Sequence, residues 1–275
     1  VLQLQIETNS TCNAACRFCI YPVVEESRRG KLMSMDLYSK IVREAATFTS
    51  ITFLTLNGLS EPLLDPKLAE RIKMARDLRP DWFIYFHTNG VYLTSDRFRA
   101  LQDAGTSFVS VSVNALNAEQ HEKAMGLVGK YDKVCNNLTD AIANSETTDV
   151  ECTAIMDIDN FTEEDARNFL RKWGDRRTNG RGKCVYVGNW SGDMLARRPF
   201  KANECCERAV KQIYVMYDGR VTACCFDPTG KMIFGDLNKQ TLAEVYSSAE
   251  YLGFRLDHSE NRADAYDICK NCTRI

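Results

Sequence analysis

Three cysteines stand at positions 12, 16 and 19, in the stretch NSTCNAACRFCIYP. Thiols this close in a chain without secretory features point to metal or catalysis rather than to disulfides. A tetrahedral structural metal site wants four protein ligands, yet the next cysteine is Cys135. Three soft sulfurs suit buried packing, a zinc knuckle borrowing a distant ligand, or an iron–sulfur cluster with one iron left open. A second group lies toward the C-terminus: Cys205, Cys206, Cys224, Cys225, Cys269 and Cys272. Four of these would close a site fully, and ligand spacing does not separate zinc from iron–sulfur there. Cys135 and Cys152 read as core residues, and Cys184 as either core or a reactive thiol. The three histidines, His87, His121 and His258, are scattered, and none is assigned a metal.

These side chains need a frame, and hydrophobic patterning supplies one. LQLQIET (2–8) reads as a strand leading into the cysteine loop, and residues 35–48 as a helix with Ser34 as its N-cap. Strands follow at 51–56, 82–90, 108–113, 150–158 and 183–188. Helical patterns lie between them at 67–78, 96–105, 131–144 and 162–173. Six β/α units in this rhythm predict a parallel α/β fold. The rhythm breaks near 189–205. Beyond it QIYVMYDGRVTACCF predicts a hairpin turning at Tyr217–Arg220, then a helix over 241–256 and the tail ICKNCTRI. The expected division is 1–188 for the β/α units and 189–275 for a small α+β, cysteine-rich cap.

At 275 residues and 44% hydrophobic content, the chain can build its own core. A net charge of −2 gives no electrostatic footprint for nucleic acid. No stretch reaches the roughly 18 apolar residues of a membrane span. The opening VLQLQIETNS is an alternating strand pattern without a charged leader, so no signal peptide is expected; oxygen-sensitive metal clusters would make the expectation a cytoplasmic protein. The basic run RKWGDRRTNGRGK (171–183) is a solvated loop or a grip on an anionic substrate.

C-x3-C-x2-C with Phe18 before its last cysteine, placed after the first strand, resembles the signature of the radical S-adenosylmethionine (SAM) superfamily. Further stretches fit in order. LNGLSEPLLDP looks like the family's Gly-x-Gly-Glu-Pro loop, with Gly58, Ser60, Glu61 and Pro62 at its positions and serine replacing the second glycine. HTNG (87–90), with Asn89, matches the third-strand Thr-Asn-Gly, and SVSVNA matches the fourth-strand motif through Ser112 and Asn114. The resemblance implies a partial (β/α)6 barrel. In it Cys12, Cys16 and Cys19 hold a 4Fe–4S cluster whose open iron binds SAM, and the loops above contact SAM. The C-terminal layout resembles the twitch module, the shortened SPASM domain, which implies an auxiliary 4Fe–4S cluster on Cys206, Cys224, Cys269 and Cys272. Within the superfamily it is similar to twitch-bearing dehydrogenases of aminocyclitol biosynthesis.

That resemblance implies cleavage of SAM to a 5′-deoxyadenosyl radical, hydrogen abstraction from substrate, and electron transfer to the auxiliary cluster. An external one-electron donor such as flavodoxin or ferredoxin would start the cycle, and the protein would work as a monomer. The leading expectation is oxidation of a hydroxyl-bearing sugar or cyclitol. Peptide crosslinking is a second expectation; the winged-helix domain common in such enzymes does not precede Val1. Epimerisation is a third, with Cys184, Cys205 or Cys225 returning a hydrogen atom. Where the similar dehydrogenases carry an arginine after the last barrel strand, this chain has Trp190, leaving Arg181, Asp193 and Arg197 as candidates for the polar role.

Overall fold

The structure is a computed structural model, described over residues 1–156, 161–178, 180–186, 205–270 and 272. Strands β1 (Leu2–Ile6), β2 (Ile51–Thr55), β3 (Phe83–Thr88), β4 (Phe108–Ser112), β5 (Asp149–Met156) and β6 (Gly182–Tyr186) pair in sequence order, all parallel. Between them run α1 (Met35–Ala46), α2 (Leu68–Leu78), α3 (Ser95–Asp103), α4 (Ala118–Met125), α5 (Tyr131–Ala143) and α6 (Glu163–Trp173). Ser34 caps α1 as expected, its hydroxyl accepting from Leu37 N at 3.1 Å. The expected parallel barrel architecture holds. Helix α4 was not anticipated, since its polar sequence AEQHEKAM carries only a narrow apolar stripe.

Strand alternation sorts the two faces of the sheet. On β3, Ile84, Phe86 and Thr88 are buried under the helices, whereas Phe83, Tyr85 and His87 point the other way. Leu4, Ile6, Leu54, Val109, Val111, Val150, Cys152 and Ala154 complete the helix-facing core. The inner face is polar and aromatic, with Gln3, Gln5, Thr55, Ser110 and Glu151 beside Phe53 and Phe108. Such a face makes a cavity wall rather than a packed core.

The C-terminal segment joins this sheet directly. After α7 (Glu207–Lys211), β7 (Gln212–Val215) pairs parallel with β1, and β8 (Arg220–Thr222) and β9 (Ile233–Asp236) add antiparallel. The hairpin turn stands where expected, with Gly219 at φ +90°. The single helix expected over 241–256 is two, α8 (Leu242–Tyr246) and α9 (Ala249–Ser259). Ser248 breaks it: its hydroxyl accepts from Tyr251 N and starts a new N-terminus. A last helix, α10 (Asp267–Lys270), carries Cys269. The expected 188/189 boundary lies outside the described residues.

Candidate active site and cluster-binding sites

The cysteine loop leaves β1 and is tied down at each end. Thr11 N donates to Asn9 Oδ1 at 2.8 Å, Glu61 N to Thr11 O at 2.8 Å, and Ala15 N to Met125 O at 2.9 Å. Gly126, at the end of α4, lies so close that an added Cβ would stand 2.9 Å from Ala15. Backbone amides point at two sulfurs: Ala14 N at Cys12 Sγ and Tyr21 N at Cys19 Sγ, both 3.4 Å. Hydrogen bonds of this kind tune the potential of a bound cluster. Burial pushes the Cys12 thiol up to about 12 and the Cys19 thiol to about 11. Cys16 rises further through burial and its two neighbours. These sulfurs keep their protons until a metal replaces them.

The loop after β2 is held by one carboxylate. Glu61 accepts from Leu63 N (3.0 Å), Thr88 Oγ1 (2.6 Å) and Asn89 N (2.7 Å), so its side chain joins the β2 loop to the end of β3. Its oxygens are taken up in holding the two loops together. Asn89 extends the tie, its Nδ2 donating to Asn13 Oδ1 at 2.8 Å. Pro62 begins a short 3₁₀ turn and does not line the cavity. Asn114 sits at φ +55° and spends its amide on Ile155 N (2.7 Å) and Met125 Sδ (2.9 Å).

One cavity of about 400 Å³ gathers Cys12, Cys16, Phe18, Cys19, Gly58, Ser60, Glu61, Asn89, Ser112 and Asn114. It reaches from Ile155 and Val185 on β5 and β6 to Arg208 and Phe226 of the C-terminal segment. Ser60 Oγ and Asn57 Oδ1, on its wall, are buried without a hydrogen-bond partner. Orphaned polar atoms beside three thiols suit a polar ligand such as SAM. Gly58 lets the loop pass, since a Cβ there would lie 2.5 Å from Tyr214 Oη and 2.6 Å from Glu7.

In the C-terminal segment Cys206, Cys224, Cys225 and Cys272 lie near enough to act on one another's charge. Cys272 N donates to Cys269 O at 3.3 Å, setting those two on one turn, and His258 Nε2 lies 3.4 Å from Cys269 Sγ. Cys224 is half-buried, and its sulfur accepts from Phe226 N at 3.4 Å. Among the described residues no three His, Cys, Asp or Glu stand close enough to hold a single metal ion.

The expected reactive groups separate. Cys225 lines a second cavity, of about 500 Å³, together with Gln3, Gln5, Tyr85, His87 and Arg208. Cys205 is exposed and lines none of the cavities described here. Cys184 turns toward Ala166 O of α6, at 3.9 Å, because it faces the helices beside Ala154. Arg181 is spent on Asp149 and Val150 O. Asp193 and Arg197 lie outside the described residues, as does Trp190.

The superfamily's family model, described as the radical SAM superfamily, matches residues 6–172. The chain belongs to the radical SAM superfamily. A second model, an iron–sulfur cluster-binding SPASM domain, matches residues 205–273. The superfamily's SAM-binding cluster, an auxiliary cluster and SAM are therefore its cofactors. The chain is 23% identical over 272 residues to an S-adenosyl-L-methionine-dependent 2-deoxy-scyllo-inosamine dehydrogenase of Niallia circulans, covering 99% of this chain and 92% of that one. It is 24% identical over 278 residues to a GTP 3′,8-cyclase of Nautilia profundicola, covering 99% and 76%. A crystal structure of BtrN in complex with AdoMet and 2-DOIA shares the fold at TM-score 0.69 and 20% identity, covering 98% of this chain and 92% of that one. Among the described residues no helix is long and apolar enough to cross a membrane.

Sequence reasoning missed several residues at this cavity: Asn57, Met125, Arg208 and Phe226 on its wall, and the buried Glu7 behind it. Met125 ends the unanticipated α4. Glu7 carried a readable signal, a carboxylate closing a strand that is otherwise buried.

Proposed function

We propose that this radical SAM oxidoreductase oxidises a hydroxyl-bearing small molecule of sugar or cyclitol type. The observation that carries this reading is a shared boundary. Asn57, His87 and Arg208 line both the cavity of the three thiols and the chamber of Cys225, so a substrate there would sit between the two cluster sites. When bound, the cofactors supply a 5′-deoxyadenosyl radical on one side and a one-electron acceptor on the other. The ligands we assign are Cys12, Cys16 and Cys19 for the first cluster, and Cys206, Cys224, Cys269 and Cys272 for the second.

The chain's own residues then orient the substrate and take the hydroxyl proton. His87 is the proton acceptor in this reading. Its ring is open to the chamber, and crowding by the chamber walls plus the Lys183 charge lower its pKa to about 4, so it is neutral with a free lone pair at pH 7. The amides behind it form a fixed wall: Cys225 N donates to Gln212 Oε1, Gln212 Nε2 to Gln5 Oε1, and Gln5 Nε2 to Asn57 O. With carbon-deuterated candidate polyols, deuterium should appear in 5′-deoxyadenosine and a ketone should form in equal amount. Return of the starting alcohol with inverted carbon would support epimerisation instead. Cys225 is the thiol that favours that second reading, and Cys225→Ala would then block inversion while leaving deuterium transfer intact.

A further inference from the structure

The basic run 171–183 divides into paired and unpaired cations. Arg176 and Arg181 both pair with Asp149, Arg176 also lies 3.8 Å from Glu151, and Arg177 pairs with Asp175 at 2.6 Å. Across the chamber Lys211 pairs with Glu207 at 2.5 Å. Each carboxylate on the wall beyond the SAM cavity thus has a cation of its own.

Two cations on the wall have no carboxylate among the described residues. Lys183 lies on the inner face of β6, in register with Thr153, and lines an adjoining cavity of about 1040 Å³. Arg208 comes from α7 and stacks over the Phe226 ring, 4.6 Å from its centroid. His87 lines all three cavities and so stands between the one that Lys183 lines and the two that Arg208 lines. Adjoining cavities that share His87 and carry two cations without a carboxylate partner among the described residues favour an anionic guest that spans them.

We propose that the substrate carries an anionic group, a carboxylate or a phosphate monoester, gripped by Arg208 and Lys183 beside His87. This rests on the chamber being the substrate site proposed above, and it narrows the substrate class. The guanidinium offers a fork that fits either oxyanion, and the ammonium adds a point charge. An amine-bearing ring, such as the inosamine named for the similar dehydrogenase, would meet two like charges instead. The Tyr85 ring, on the same strand, lies 5.8 Å from the His87 ring, while Glu151 from β5 and Cys225 from the C-terminal segment line cavities that His87 also lines. Of the unpaired cations it is Lys183 that depresses the imidazole, and a bound anion would relieve that field and ready the ring to take a proton.

The test is calorimetric titration of the reconstituted, SAM-loaded protein with four probes: glucose 6-phosphate, gluconate, glucose and glucosamine. One or both anions should bind saturably at one site, more weakly as salt rises, and the stronger of the two identifies the group. Lys183→Gln and Arg208→Gln should each weaken that binding about tenfold, and Arg208→Lys should recover part of it. Glucose or glucosamine binding as well as the anions would overturn the proposal. So would no anion binding, or anion binding that neither substitution moves. If Arg208→Gln loses iron from the C-terminal segment while anion binding persists, Arg208 merely screens thiolates and the proposal falls. The oxidation reading fails independently, by absence of 5′-deoxyadenosine, which this titration does not measure.

Discussion

Glu61 shows how much of the site rests on a single side chain. Its carboxylate accepts three hydrogen bonds from two loops, and burial raises its pKa above the ordinary range despite them. Glu61→Ala would leave buried donors unpaired. We expect a loss of about 2–4 kcal/mol in denaturant unfolding and weakened SAM binding by equilibrium dialysis. Gly58 and Ser60 should behave oppositely, although the family signature has glycine at both. Gly58→Ala drives a Cβ into Tyr214 and Glu7 and should cost about 1–3 kcal/mol. Ser60→Gly removes only an unpaired hydroxyl and should keep SAM binding intact. His87 gives the pH prediction. With its folded pKa near 4 against 6.5 unfolded, the unfolded chain binds the extra proton between those values. Its contribution therefore favours folding above pH 6.5 and is eroded as pH falls toward 4. Carbon-labelled histidine spectra should show the His87 ring, identified by the signal lost in His87→Gln, titrating well below 6.5. At this scale the cysteines and SAM-loop residues were legible because their types and order are demanding. His87 and Arg208 were not, because their meaning lies in a chamber that only tertiary folding creates.

Among the elements, β1 does more than begin the sheet. It pairs with β2 on one side and with β7 on the other, and Glu7 at its end fastens four segments. Arg28 Nη2 donates to both Glu7 oxygens at 2.9 and 2.8 Å, Leu59 N donates at 2.9 Å, and Tyr217 N at 3.3 Å. Arg28 Nε reaches Pro228 O at 2.9 Å. The ion pair thereby joins the cysteine loop, the SAM loop and the hairpin of the C-terminal segment. Breaking it leaves a buried charge alone, so Glu7→Gln should destabilise by about 3–5 kcal/mol in chemical denaturation. The double variant Glu7→Gln, Arg28→Met should recover part of that loss. Strand and helix periodicities made the six β/α units readable, and Ser34 announced the first helix. The parallel pairing of β7 with β1 was not readable, because partners more than two hundred residues apart leave no local pattern. Helix α4 was missed because few of its residues are apolar, and its value lies in the Met125 end that supports the cysteine loop.

Across the whole molecule, we propose two cluster sites around one chamber: an open site at the C-terminal ends of the barrel strands, and a closed site on the C-terminal segment. Three thiols would serve the first, and four of six cysteines the second. That difference in ligand number was visible in the sequence; the shared wall of Asn57, His87 and Arg208 required the fold. The most direct test is iron and sulfide analysis with electron paramagnetic resonance on anaerobically reconstituted protein. Wild-type protein should hold about eight irons, and a Cys12, Cys16, Cys19→Ala variant about four, with a signal that SAM leaves unchanged. A Cys206, Cys224, Cys269, Cys272→Ala variant should also hold about four, with a signal that SAM alters. About four irons in the wild type, or SAM altering the signal of the first variant, would contradict the two-cluster assignment.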